Sequence, residues 1–444
     1  MSDINYKCTI VKIDNLIKHP NADKLQITQI FGNTVIVGLD TKIGDLGIFF
    51  PLEAKIGAEF LKANSLYRDK TLNKDESHAG FFESNGRVRA MKLRGIPSMG
   101  YWCELEYLER LNLPWPVQEG ESFNELGGIA LSTKYVPKVK INPNTNMQSR
   151  KKHDRFIKNQ FKEHFETEHL FKNLSRIKPE DQLVITWKLH GTSFRAGNVL
   201  VKKQFSWLSR FCLNILQIIG VPVQYTEYAY LYGTRKVIKD VNNKEQSHWY
   251  DSDLWTSVGK SNFEGKLHQG EVVYGEIVGY VPGSRAMIQK GFSYGCKEGQ
   301  CEVYIYRITN TNSGGVSIDL SWQAVKDRAN ELGIKYVPEA DPNVFFQTST
   351  WKFEDLENTL YTHVEGRVES PTKNSHINEY TVAGIKKFWL ETDCHLDSSH
   401  PEEGICIRVE GLNPTIFKAK SFRFLEYETK QLDSEEVDME SSQS

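Results

Sequence analysis

Lys188 lies within the run Val184-Ile-Thr-Trp-Lys188-Leu-His190-Gly191-Thr192-Ser193-Phe194-Arg195 and is the residue there best suited to chemistry. Val184, Ile185, Thr186 and Trp187 favour a strand. The small Gly191-Thr192-Ser193 that follows lets backbone approach a bulky group such as a phosphate or a purine. A lysine at the end of such a strand is a candidate nucleophile toward phosphorus, provided that nearby cations or desolvation lower the pKa of its ammonium. Lys418 and Lys420, in Phe417-Lys418-Ala-Lys420-Ser421, could supply that field, because two residues apart on a strand they face the same side. Phosphoryl transfer needs charge compensation and in-line positioning more than acid–base work. Carboxylates that bind a metal ion therefore complete the set, and Glu276 and Glu403 are the candidates. Taken alone, Lys-x-x-Gly is a common string that also fits a hairpin with an exposed lysine.

Four later segments change that balance: Tyr232-Gly-Thr-Arg235, Val273-Tyr-Gly-Glu276-Ile-Val-Gly279, Glu403-Gly404-Ile-Cys-Ile-Arg408 and Phe417-Lys418-Ala-Lys420-Ser421. Together with Lys188-Leu-His190-Gly191-Thr192 they resemble, in order, motifs I, Ia, III, IV and V of the covalent nucleotidyltransferases, the polynucleotide ligases and mRNA capping enzymes. The resemblance implies that Lys188 becomes adenylylated and that His190 and Gly191 lie against the nucleotide. It further implies that Arg235 contacts the ribose and the substrate end, Glu276 holds the ribose, Glu403 binds the catalytic metal, and Lys418 and Lys420 contact the α-phosphate. An aromatic ring should stack on adenine. Tyr304 or Tyr306 fits that position, with Tyr306 preferred.

His190 stands where most ligases carry aspartate. That substitution resembles the RNA ligase family typified by the Deinococcus enzyme, which has an N-terminal OB domain. Met91-Lys-Leu-Arg-Gly-Ile-Pro-Ser-Met-Gly100 looks like that family's OB strand and turn. The implied activity is ATP-dependent joining of an RNA 3′-hydroxyl to a 5′-phosphate, especially at nicks in duplexes, through lysyl-AMP and RNA-adenylate, with Mg2+ or Mn2+. A general or DNA ligase, a capping guanylyltransferase and a non-catalytic tRNA- or RNA-binding protein are the rival readings. In capping enzymes and most DNA ligases the OB domain follows the last motif, whereas only about two dozen residues follow Ser421 here, too few for a barrel.

The elements that must position these residues give an α+β chain: an OB-like β-barrel over 1–133, a basic linker over 134–155, a nucleotidyltransferase domain built on antiparallel sheets over 156–428, and an acidic, disordered tail over 429–444. Short β-rich runs (Tyr6-Ile13, Leu25-Ile30, Thr34-Val37, Gly47-Phe50, Val88-Leu93, Gly100-Cys103) separated by turn residues suggest the barrel. His19-Pro-Asn-Ala-Asp23 resembles a string of tRNA-binding OB-type domains and equally fits a turn. Arg87 and Arg89, on one side of a strand, offer a cationic face to a phosphate backbone, and Lys151 and Lys152 belong to the basic linker set. The pattern predicts helices over Trp322 to Leu332, closed by Gly333, and around Asn378 to Glu391. No organisation is legible between Lys352 and Asn378.

Composition bounds the rest. With 444 residues, 39% apolar and 25% charged, the chain is long enough for two or three domains, and its formal charge of −2 gives no global footprint for nucleic acid, so an RNA face must come from local clustering. Seven scattered cysteines without a Cys-x-x-Cys pair argue against a disulfide framework and a zinc site, and for a reducing, intracellular home. No signal peptide or membrane span is expected, since Phe205 to Val223, the most apolar window, carries Arg210, Asn214, Gln217 and Pro222 and fits a helical insertion better. Nothing in the chain calls for an obligate protein partner.

Overall fold

The computed structural model describes residues 4–113, 118–137, 155–206, 209, 222–240, 250, 253–340, 350–365 and 377–433. The 205–223 window falls almost wholly outside them. The architecture is mixed and sheet-rich, as expected. No described helix is long and apolar enough to cross a membrane.

Two sheets form the body of the C-terminal part. One has five strands in the order Glu168–His169, Thr415–Lys420, Gly404–Val409, Gln182–Trp187, Thr350–Lys352. The other follows the order Ile238–Lys239, Thr226–Gly233, Thr192–Lys202, Glu271–Gly279, Cys301–Thr311, Ser317–Asp319, with Lys335–Tyr336 added against Cys301–Thr311. Pairing is antiparallel throughout except at Glu168–His169 and Lys335–Tyr336. Strand Glu271–Gly279 is buried at every residue, which its run Val272-Val273-Tyr274 and Ile277-Val278 requires of a strand covered on both faces. Its one charged end, Glu271, is held by Arg328 at 2.8 Å.

These sheets meet through a four-residue connection. Gln182–Trp187 ends in one sheet, Thr192–Lys202 begins in the other, and Lys188 to Gly191 bridge them. One apolar core, around Trp255, Val273, Ile277, Ile305 and Phe292, backs the larger sheet, and a second, around Ile185, Leu356, Trp389 and Ile407, backs the smaller.

Helix Trp322–Leu332 is present as predicted: Ser321 Oγ accepts the amide of Ala324, Val325, Ala329 and Leu332 are buried, and Gly333 ends the helix at φ +68°. The helix expected around Asn378 to Glu391 runs from Ile377 to Ile385 and continues as a π-turn over Lys386–Leu390. Phe353–Glu365, in the stretch without a legible pattern, is a 13-residue helix. The expected disordered tail also needs correction, because helix Phe422–Asp433 crosses the 428/429 boundary. Ser421 Oγ accepts the amide of Phe424, and Phe422, Phe424, Leu425 and Thr429 are buried, so the helix is capped and anchored before the acidic run begins. Residues 434–444 lie outside the described set.

The N-terminal strands fall close to their expected places, at Cys8–Lys12, Leu25–Ile30, Asn33–Gly38, Leu46–Phe50, Met91–Leu93 and Tyr101–Glu104. Their pairing differs from a closed barrel. Among the described residues they divide into a four-stranded sheet, a three-stranded sheet and several two-stranded pairs. The 19–23 string is a turn: His19, 1% exposed, places Nε2 3.1 Å from Leu93 O, and Asn21 Nδ2 donates to Arg94 O at 3.0 Å, fixing the Met91–Ser98 hairpin. Ala90, Met99 and Leu52 pack on Phe422 and Leu425, joining the N-terminal part to the C-terminal helix.

Candidate active site

Strand register assembles the charged groups. Lys188 N donates to Gly404 O at 2.9 Å, and Gly404 pairs with Lys420 on the far side. Three adjacent strands therefore set Lys188, Gly404 and Lys420 in one row, with Glu403 next to Gly404 in the chain, and Lys418, beside Cys406, falls two residues along. Lys188 Nζ lies 2.7 Å from Glu403 Oε1, and Lys420 Nζ lies 3.6 Å from the same oxygen and 3.2 Å from Glu428 Oε2. Glu403 is 1% exposed, and its Oε2 is buried with no hydrogen-bond partner. Burial, with Lys420, Lys188 and Arg235 nearby, pushes the Lys418 ammonium down to about 7. Burial, with Lys418, Lys420 and Lys172 nearby, pushes His169, which pairs with Lys418, down to about 3, so it is neutral in the physiological range.

The connection between the sheets is locked by its backbone. His190 N donates to the hydroxyl of Tyr294 at 2.7 Å, Gly191 N donates to Glu276 Oε1 at 3.2 Å, and Gln289 Nε2 donates to Gly191 O at 2.7 Å. A Cβ on Gly191 would meet Ile277 O at 2.2 Å and Glu276 Cγ at 2.9 Å, so only glycine lets the connection lie this close to strand Glu271–Gly279. The His190 ring sits edge-to-face between Phe292 and Phe424, 4.9 Å from each.

Two cavities open on this junction, and both are lined by Lys188 and Arg235. One runs between the sheets and is walled by Trp187, Glu276, Tyr306, Arg307 and Cys406. The other reaches outward past His190, Glu403, Lys418 and Lys420 to the N-terminal part, where Lys7, Phe31 and Lys134 line it opposite Lys172.

A β-bulge sets Tyr304 and Tyr306 in different surroundings. Tyr274 pairs with Arg307 and Gly275 with Ile305, which leaves Tyr306 as the extra residue. A bulge re-aims a side chain. Tyr306 turns into the inter-sheet cavity, its hydroxyl 2.5 Å from His164 Nδ1, whereas Tyr304 packs in the core with its hydroxyl on Glu302.

Of the residues singled out from sequence, Lys188, His190, Gly191, Arg235, Glu276, Tyr306, Glu403, Lys418 and Lys420 are brought together around these two cavities. Arg87 and Arg89 are not, and the expected phosphate-facing strand is corrected. They do share one side, but that side turns inward: the Arg87 side chain is 1% exposed, forked onto Glu53 at 2.8 and 3.0 Å, and both arginines reach Asp433 of the C-terminal helix. Lys151 and Lys152 lie outside the described residues. Sequence reasoning missed Glu428, His169, Lys172 and Arg307. Glu428 had a findable signal, since Ser421 followed by Phe422 and Leu425 reads as a capped helix start. The two-residue strand carrying His169 offered none.

The RNA ligase family model matches residues 181–420. No curated protein is matched by sequence. Among solved structures, an aspartate-to-alanine variant of Naegleria gruberi RNA ligase, apo, is similar at 15% identity and a TM-score of 0.58, over 97% of this chain and 100% of that one. The same ligase with PPi gives 16% identity and a TM-score of 0.57, over 95% and 98%. A lysine-to-alanine variant with ATP and Mn gives 16% and 0.56, also over 95% and 98%. At this identity the likeness speaks for the fold, and it spans the N-terminal part as well as the two sheets. The family match covers more than half of the chain, including every strand that carries a charged group of the site except Glu168–His169: the chain belongs to the RNA ligase family.

Proposed function

We propose that this chain is an ATP-dependent RNA ligase that works through a lysyl-AMP intermediate on Lys188. Lys188 Nζ, having lost its proton, attacks the α-phosphorus of ATP in line with the departing pyrophosphate: a P–N bond forms and a P–O bond breaks. The AMP then passes to an RNA 5′-phosphate, freeing Lys188, and an RNA 3′-hydroxyl displaces AMP to make the phosphodiester. The observation that carries this reading is the contact of Glu403 with both Lys188 and Lys420, with Lys418 beside them, at the mouth of a cavity walled by Tyr306 and Glu276. The ligands named for the Naegleria gruberi ligase structures, ATP with Mn, AMP with Mn and PPi, support the same substrate.

Each role follows from position. Tyr306 offers a ring to the base, and Glu276, fixed by Gly191 N, faces the ribose. Lys418 and Lys420 compensate phosphate charge. Lys188 is among the cations that lower Lys418, so the two lysines stand close enough to act on one phosphate. Glu403 fits a divalent cation, because one of its oxygens is buried and unpartnered and carboxylate oxygen suits Mg2+ or Mn2+. When bound, such a cation supplies charge neutralisation at the reacting phosphates. The N-terminal part, whose Lys7 and Lys134 line the outer cavity opposite Lys172, serves as the RNA clamp in the place of an OB domain, as the resemblance to the Deinococcus-type enzymes implies.

The test uses two nicked duplexes that share the 5′-phosphate strand and differ only in the last few sugars on the 3′-hydroxyl side. Sealing of the ribose-ended nick with little sealing of the all-DNA nick is expected, since a protein can read A-form shape and 2′-hydroxyls beside the break. Equal sealing of both would make this a general polynucleotide ligase.

A further inference from the structure

Against the ring of Trp187, the segment that leads into Glu403 gathers three donors of different kinds. Cys394 Sγ, a ring nitrogen of His395 and a carboxylate oxygen of Glu402 all lie within 4.8 Å of one another. Glu402 is fully buried, and its Oε1 has no hydrogen-bond partner. Its other oxygen stands 3.4 Å from both the backbone N and Nδ1 of His395, long contacts for a buried carboxylate, and the Cys394 thiol is hydrogen-bonded to the same group. A buried carboxylate with an unpartnered oxygen is costly, and a cation is the partner that best removes the cost.

We propose that Cys394, His395 and Glu402 form a zinc-class metal site, distinct from the magnesium- or manganese-type position at Glu403. A thiolate, an imidazole and one carboxylate are the donor set of a borderline cation, whereas Mg2+ takes oxygen alone. Four-coordinate zinc with donors at about 2.0 to 2.3 Å sets neighbouring donors roughly 3.5 Å apart, so a spread within 4.8 Å asks for only small side-chain movements. Water fills the fourth position, toward the partly exposed His395. Binding replaces the thiol proton of Cys394, which leaves to solvent, with an S–metal bond.

The absence of a Cys-x-x-Cys pair argued against zinc at the level of sequence, and that argument holds only for sites built from paired cysteines. Here Glu402 returns to the Cys394-His395 pair through a loop whose ends are pinned by Cys394 N on His400 O at 3.0 Å and Glu402 N on Thr392 O at 3.1 Å. The site touches the reaction centre through the backbone. His395 stacks on Trp187 at 5.1 Å and 22°, Trp187 precedes Lys188, and Glu402 precedes Glu403. A bound cation therefore fixes the chain on both sides of the Lys188–Glu403 contact, a positioning role.

The experiment is metal loading of the full chain without nucleotide. After exposure to zinc and dialysis against buffer containing magnesium, about one zinc per chain should remain, and the melting temperature should rise. The cobalt-loaded protein should show the near-ultraviolet thiolate-to-cobalt charge-transfer band, absent in Cys394→Ser and retained in Cys296→Ser. Glu402→Gln and His395→Gln, the latter a partly exposed position with little effect on folding, should weaken zinc binding at least tenfold. Retention of no zinc overturns the site. So does a cobalt complex without a thiolate band, or zinc binding unchanged in His395→Gln. None of these readouts depends on sealing activity, so the metal site and the ligase reading fail separately.

Discussion

Lys188 Nζ and Glu403 Oε1 stand 2.7 Å apart where the two sheets join, and the second oxygen of Glu403 is buried without a partner. A divalent cation held by Glu403 would compete with Lys188 for this carboxylate and so free Nζ for the phosphorus. Glu403→Gln should lower the rate of protein adenylylation by about 10²- to 10³-fold, the usual range for losing one charge-stabilising group in a closed site, and excess metal should not restore it. Labelled-ATP incorporation, followed over a metal titration, checks this.

Lys418 gives a pH signature. Burial and its cationic neighbours bring its ammonium to about 7 in the free protein, so at pH 8 it is mostly neutral and at pH 6 mostly charged. A triphosphate beside it restores the charge. Titration calorimetry in two buffers of different ionisation enthalpy should therefore show proton uptake on ATP binding at pH 8, shrinking toward pH 6, with the difference from Lys418→Met isolating this group. The folded-state value lies below the unfolded one near 10.4, so the unfolded chain holds more protons between about 7 and 10.4. Lys418 alone thus makes stability rise with pH across that window, and Lys418→Met should flatten the rise in melting temperature.

Gly191 is a steric requirement. A methyl group there meets Ile277 O at 2.2 Å and the Glu276 side chain at 2.9 Å, and both must shift for the chain to fold. Gly191→Ala should lower the melting temperature and cut adenylylation by about 10²-fold, the scale of a displacement of roughly 1 Å in a reacting group. Rates and melting curves measured together separate the two effects.

Arg87 belongs to the fold and not to an RNA face. Arg87→Ala leaves Glu53 without its forked partner and removes one contact to Asp433, a loss of about 3–5 kcal/mol in urea unfolding for a broken buried pair. The salt dependence of RNA binding by the folded variant should match the parent, since no phosphate contact is lost.

Strand periodicity made much of this legible. Val184 to Trp187 ends on the lysine, and Lys418 and Lys420 share a side, both consequences of local period. What was not legible depends on long-range geometry. The alternation that put Arg87 and Arg89 on one face was sound, but only the fold shows Glu53 and Asp433 waiting on that face. Period two places Tyr304 and Tyr306 together, and a single bulge separates them. Glu428 was hidden by the acidic composition after Phe424, which outweighed the cap at Ser421 and the apolar positions behind it.

The most direct measurement is covalent labelling. The full chain is incubated with α-labelled ATP and Mg2+ or Mn2+ and then denatured, and the label is mapped by peptide mass spectrometry in the parent, Lys188→Ala and Lys188→Arg. An acid-labile, phosphoramidate-type AMP adduct on the peptide containing Lys188, lost in both variants because a methyl group offers no nucleophile and a guanidinium stays protonated, is the expected result. Label retained in Lys188→Ala, or mapped to another residue of the parent, would contradict the account.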